Sequence, residues 1–110
     1  WPPLASLMLR MTAITDKTIR SLQHVVPALA HLDVHWCRLV SDRDLRDLGP
    51  LPLRRLVLSR CERVKYWGVV DLLKATRTLQ TLVLTDSGVS EANRGKLVAG
   101  SRGRPVLFVL

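Results

Sequence analysis

Apolar residues recur along this chain at one spacing and one period. Leu4-x-x-Leu7-x-Leu9, Leu29-x-x-Leu32-x-Val34, Leu53-x-x-Leu56-x-Leu58 and Leu79-x-x-Leu82-x-Leu84 are four copies of one pattern, and Arg104-x-x-Leu107-x-Val109 is a weaker fifth. Successive copies start 25, 24, 26 and 25 residues apart. The alternation inside each copy predicts a short strand with leucines inward and the intervening residues outward. Helical spacing follows each strand. Ile19, Leu22, Val25 and Val26 form the first apolar helix face, Leu45 and Leu48 the second. Val69, Val70, Leu72 and Leu73 form the third, Leu97 and Val98 the fourth. Thr15-Asp16, Ser41-Asp42 and Ser90-Glu91 pair a capping hydroxyl with an acid suited to a helix N-terminus. The third repeat carries Lys65-Tyr66 there instead. Pro27, Gly49-Pro50 and Gly100 stop three of the helices, and Val106 to Leu110 reads as a last strand.

A fixed period in the twenties with this apolar spacing is the signature of a leucine-rich repeat. The expected fold is therefore α/β: a leucine-rich-repeat solenoid arc spanning residues 1–110 as one domain. It has about four strand–helix repeats of 24–26 residues plus a terminal strand. In such an arc each repeat buries its apolar face against the next, so 110 residues suffice without a separate globular core. The eighth residue after the first leucine of each full copy is Thr12, Cys37, Cys61 or Ser87. All four are small and able to hydrogen-bond, and a stacked column there would satisfy backbone groups at the turn leaving the strand. Strands about 4.8 Å apart bring Cys37 near Cys61. That distance permits a disulfide, but a free cysteine is typically a core residue, and reduced buried thiols are expected.

Composition narrows the function classes. Hydrophobic residues make up 47% and aromatics 5%, which suits aliphatic stacking more than an aromatic pocket. No apolar run approaches the roughly 20 residues of a membrane helix, so no membrane insertion is expected. Two cysteines argue against a secreted disulfide scaffold and for an intracellular setting. The net charge of +8 favours an acidic partner: nucleic acid, an anionic surface or an acidic protein. The chain begins Trp1-Pro2-Pro3, which reads as a processed chain or a fragment.

At the level of the repeat, Leu29-x-x-Leu32-x-Val34-x-x-Cys37-x-x-Val40-Ser41-Asp42-x-x-Leu45 resembles the cysteine-containing leucine-rich repeats of F-box proteins. Leu4 to Ile19 resembles their shorter variant without the cysteine. The resemblance implies a curved solenoid that holds a protein substrate, with an upstream F-box binding the Skp adaptor of a cullin ubiquitin ligase. No F-box is visible in this sequence. The chain is also similar to mitochondrial proteins with a few such repeats and no F-box, among them ATP synthase coupling factor B and the membrane-arm assembly proteins of complex I. That second resemblance implies a structural or assembly subunit of a large mitochondrial complex. The expected location is accordingly cytoplasmic, nuclear or mitochondrial.

Candidate function falls on the outward strand residues. The repeat register places Ser6, Met8 and Arg10 on the concave face, with His31, Asp33 and His35, then Arg55, Val57 and Ser59, then Thr81, Val83 and Thr85. Met11, Trp36, Arg60 and Asp86 lie just beyond. Tryptophan and arginine are favoured contact residues. Met8, Arg10, His31, Asp33, His35, Trp36, Arg55, Val57, Ser59, Arg60, Val83 and Thr85 are thus the expected protein-binding set. The uncapped ends of the array are a second expected docking place, since bare sheet edges are normally covered.

Other chemistry has little support. His31-x-Asp33-x-His35 puts three ligand types on one face, but two strand steps separate the histidines by about 13 Å. A zinc ligand lies about 2.1 Å from its metal, so no metal or other cofactor is expected. No G-x-S-x-G, phosphate-binding glycine loop or C-x-x-C occurs, and an enzyme is not expected. Arg54, Arg55, Arg60, Arg63 and Lys65 form one basic group, and Arg94, Lys96, Arg102 and Arg104 another. These could contact RNA phosphates, although the sparse aromatics offer no stacking platform, and an acidic protein is the favoured partner. Tyr66-Trp67 stands at the irregular cap of repeat three, with one ring expected to cover the turn.

Overall fold

The structure is a computed structural model and describes residues 6–8, 16–36 and 39–110. Leu4, Leu9, Arg10, Met11, Thr12, Thr15 and Cys37, named above, lie outside the described residues, as does Trp1-Pro2-Pro3. Each apolar alternation becomes a three-residue strand: β1 (Ser6–Met8), β2 (His31–Asp33), β3 (Arg55–Val57), β4 (Thr81–Val83) and β5 (Leu107–Val109). The central residues are Leu7, Leu32, Leu56, Leu82 and Phe108, and they pair across the sheet in one row. All four pairings are parallel and follow sequence order from β1 to β5.

Parallel neighbours need a long return path, and here it is helical. The helices are α1 (Asp16–Val25), α2 (Asp42–Leu45), α3 (Tyr66–Ala75) and α4 (Arg94–Gly100). α2 continues into a 3-10 turn, Arg46–Leu48, and α4 is preceded by another, Glu91–Asn93. The main element contacts join sequence neighbours: α1 to α2, α2 to α3, α3 to α4, and each strand to the next.

The core lies between the helices and one face of the sheet. The first, fourth and sixth positions of the repeated pattern all enter it. Leu29, Leu53 and Leu79 are buried, as are Leu32, Leu56 and Leu82, and Val34, Leu58 and Leu84. Ile19, Leu22, Leu45, Leu48, Val69, Leu72, Leu73 and Leu97 close it from the helix side. Each fully buried aliphatic side chain stabilises by roughly 1.5–3 kcal/mol before chain entropy is counted.

Three sequence expectations need correction. The fifth copy is one residue out of phase: β5 pairs with Thr81↔Leu107 and Leu82↔Phe108, so Phe108 is inward and Leu107 and Val109 face out. A one-residue shift in a strand exchanges its two faces. Val25 is 71% exposed and Val98 53% exposed, so neither belongs to its apolar helix face. Val70 is half buried and packs against the core as expected. The helices of this chain are short, and the stripe that meets the core is narrower than the apolar residues in the sequence.

The irregular cap of α3 has a specific solution. Lys65 precedes the helix in extended conformation and has no side-chain acceptor for the first free N–H groups. Its own backbone N–H donates to Oδ1 of Asp42 at 2.7 Å, so the acceptor comes from the preceding helix. Gly68 makes the room, because a Cβ there would lie 2.1 Å from the same oxygen. Burial raises the Asp42 pKa above its ordinary value, against the opposing pull of the Lys65 backbone N–H and of the Lys65 charge, with Asp71 pushing further upward. The other end of α3 is also closed from a neighbour. The Arg104 guanidinium donates to the carbonyls of Leu73 and Thr76, and its Nε donates to the Ser101 carbonyl at 3.0 Å. These are the carbonyls a helix C-terminus leaves without intrahelical partners.

Candidate functional site

Among the described residues no element covers one face of the sheet, and parallel pairing sorts its residues into rows. The first strand position gives Ser6, His31, Arg55, Thr81 and Leu107. The third gives Met8, Asp33, Val57, Val83 and Val109. One row is mainly polar until the last strand, and the next is apolar except at Asp33. Met8 is 58% exposed and Val109 39% exposed, while Val57 and Val83 are half buried. Ser6, Met8, His31, Asp33, Arg55 and Val57 line a shallow depression of about 270 Å³ at the β1–β3 side of this face.

The parallel ladder runs on past the short strands. Trp36 N–H donates to the Ser59 carbonyl at 2.8 Å, and Arg60 N–H donates to the Thr85 carbonyl at 2.9 Å. At this point the chain turns. Trp36, Arg60 and Asp86 have φ of 58°, 58° and 57°, the left-handed region. An ordinary side chain there costs on the order of 1–2 kcal/mol, and only aspartate among these three tolerates it readily. The three turns bring their side chains into a chain of contacts. The Arg60 guanidinium lies 5.2 Å from the centroid of the Trp36 ring, and its Nε lies 4.0 Å from Asp86 Oδ2. At exposed sites the ring contact is worth about 0.5–1 kcal/mol and the ion pair less. Their value is positional: they align a tryptophan, a cation and an acid along one edge of the uncovered face.

Of the expected binding set, His31, Asp33, Arg55, Val57, Val83 and Met8 lie on this face, and Trp36 and Arg60 lie on its rim. His35, Ser59 and Thr85 occupy the turn stretch that links them, all half buried. Arg10 is outside the described residues. Sequence spacing placed Trp36, Arg60 and Asp86 near one another but did not show that they touch. The available signal was their equal repeat position, 24 and 26 residues apart. Among the described residues, no group of His, Cys, Asp and Glu side chains could hold a metal ion.

Cys61 is buried, and its thiol donates to the Val34 carbonyl of the preceding repeat at 2.9 Å. The Ser87 hydroxyl, one repeat later, accepts from the Val89 N–H at 3.1 Å. The eighth residue after the first leucine thus has a backbone-pairing role in both described copies.

The two basic groups differ. Arg54, Arg55, Arg60, Arg63 and Lys65 are exposed. In the second group, Arg94 is paired with Glu91 at 2.8 Å, which holds the Glu91 carboxyl below its ordinary range and the guanidinium above its own. Lys96 sits 4.1 Å from the centroid of the Tyr66 ring, and Arg104 closes α3. Three of the four residues there are engaged within the chain. Tyr66 is half buried against the core, whereas Trp67 is 52% exposed. Among the described residues no helix is long and apolar enough to cross a membrane. Neither a protein-family model nor a curated protein matches the sequence.

Proposed function

We propose that the chain is a leucine-rich-repeat arc of the F-box-like, cysteine-containing kind, and that it is a non-catalytic protein-binding module. In this reading it serves as the adaptor or substrate-recognition region of a ubiquitin ligase. The observation that carries the reading is the row Met8, Asp33, Val57, Val83 and Val109, apolar but for Asp33, which crosses the uncovered sheet face beside the rim of Trp36 and Arg60. Apolar side chains with an aromatic and a cation at the margin are the usual make-up of a protein contact. Geometry supports an arc. Strands stack about 4.8 Å apart and helices about 8–10 Å apart, so a sheet backed by helices curves towards its strand side. The thiol of Cys61 on the Val34 carbonyl gives the cysteine of this repeat type a structural purpose.

A second reading is a structural or assembly subunit of a large mitochondrial complex. It is favoured by Leu107 and Val109, which present an apolar pair outward on β5 where each earlier strand presents at least one polar residue. Site-specific photocrosslinking separates the two. A photoreactive residue at Val57 probes the sheet face, and one at Lys17 on α1 probes the helix side. Skp-linked proteins or their substrates captured from Val57 support the adaptor, and respiratory or ATP synthase subunits support the second reading. Capture from Lys17 with none from Val57 overturns the sheet face as the contact surface.

A further inference from the structure

A groove of about 430 Å³ runs between α3 and α4, on the helix side of the molecule and away from the uncovered sheet face. We propose that it is a second docking site, and that its occupant is an acidic segment of a partner protein carrying one apolar side chain. Val70, Ala99 and Gly100 are the apolar part of its lining. Gly100 keeps the two helices close: a Cβ there would lie 3.3 Å from Cγ1 of Val70. Trp67 stands over the groove, 52% exposed, while the neighbouring Tyr66 is packed against the core. A half-exposed indole beside an apolar notch gains free energy when a partner's side chain fills the notch.

Charge selects the partner. Lys74 and Lys96 line the groove with one acid, Asp71, which is paired with Arg46 at 3.3 Å. Lys96 is held in place by the Tyr66 ring, 4.1 Å away, so its position is set before a partner arrives. Two lysines around an apolar notch, on a chain of net charge +8, attract a carboxylate-bearing segment and repel a basic one. The concave shape suits a projecting side chain better than the flat plane of lipid headgroups. The site is independent of whatever occupies the sheet face.

The test is to pan the full chain against a random peptide library displayed on phage, and to titrate the enriched peptides. The expected result is peptides with an aromatic or aliphatic residue flanked by Asp or Glu. Their affinity should fall roughly tenfold or more for Trp67→Ala and for the double variant Lys74→Glu, Lys96→Glu. Circular dichroism confirms that both variants, altered only at exposed side chains, keep the fold. Enriched peptides that are neutral or basic overturn the proposal, as do peptides bound equally by both variants. Vesicles of phosphatidylcholine and phosphatidylserine, and oligouridine, serve as counter-probes. Binding of either through Lys74 and Lys96 without acidic peptides overturns it in favour of a lipid or RNA surface.

Discussion

Helix α3 begins behind a lysine, and the acceptor that its first turn needs comes from Asp42, 23 residues earlier. Asp42→Ala should therefore destabilise by about 1–2 kcal/mol, the range for losing a helix cap. Gly68→Ala should cost about 1–3 kcal/mol, because its Cβ would meet the same carboxylate. Urea denaturation measures both, and an unchanged midpoint in either would contradict the assignment. The pH dependence has a definite sign. The folded-state pKa of Asp42 is raised above 3.8, chiefly by burial. The folded chain thus holds this proton more tightly than the unfolded chain does. Stability from the group is present at low pH and is lost as pH rises through the raised value. Asp42→Asn keeps an oxygen acceptor but has no charge to bury. Its stability relative to the parent should rise as the pH increases above 3.8. A difference that stays constant over that range would show that the carboxyl is not perturbed. The sequence marks Lys65-Tyr66 as the irregular pair, but the acceptor that replaces its cap lies a full repeat away, beyond any local pattern.

Between elements, Arg104 links the stretch after α4 to the end of α3 by donating to the Leu73 and Thr76 carbonyls. Arg104→Met, which keeps much of the apolar stem, should destabilise by about 1–3 kcal/mol through the carbonyls it leaves unpaired. Arg104→Lys should recover only part of that, since an ammonium lacks the planar fork. Equal thermal midpoints for all three proteins would remove the capping role. A basic residue near the end of a basic chain looks like a surface charge in sequence, and only the return of the chain beneath α3 reveals its partners. The phase of β5 is obscured for a different reason. Val106 to Leu110 is apolar throughout, so alternation carries no information there. The parallel register to β4 decides it, and the choice is measurable. Phe108→Ala should cost about 3–5 kcal/mol, as for a buried phenylalanine, whereas Leu107→Ala should change stability by less than about 1 kcal/mol. The reverse order would restore the phase that spacing alone suggests. Where polar residues punctuate the strands, as in His31-Leu32-Asp33 and Arg55-Leu56-Val57, spacing and structure agree.

In the molecule as a whole, the main contacts run from each element to its neighbour in sequence, through a body of 42 × 28 × 19 Å. The period of the apolar pattern made this order legible, because equal spacing lets successive strands pair in the same register. What the period leaves out is how strongly each interface couples the two sides. β3 is the middle strand, and Leu56 is fully buried where it meets Leu32 on one side and Leu82 on the other. Leu56→Ala should destabilise by about 2–5 kcal/mol. In a chain stabilised by neighbour contacts, such a loss at the centre should also weaken the coupling between the flanks. Native-state hydrogen exchange can separate these effects. In the parent, the amides of Val34 and Leu84, which donate to Val57 and Val109, should open together in one cooperative unit. In Leu56→Ala, the two amides should open at different free energies, because each then reports its own side of the weakened β3. If both amides lose protection equally, the domain is a single cooperative core, and coupling does not run element by element along the sheet.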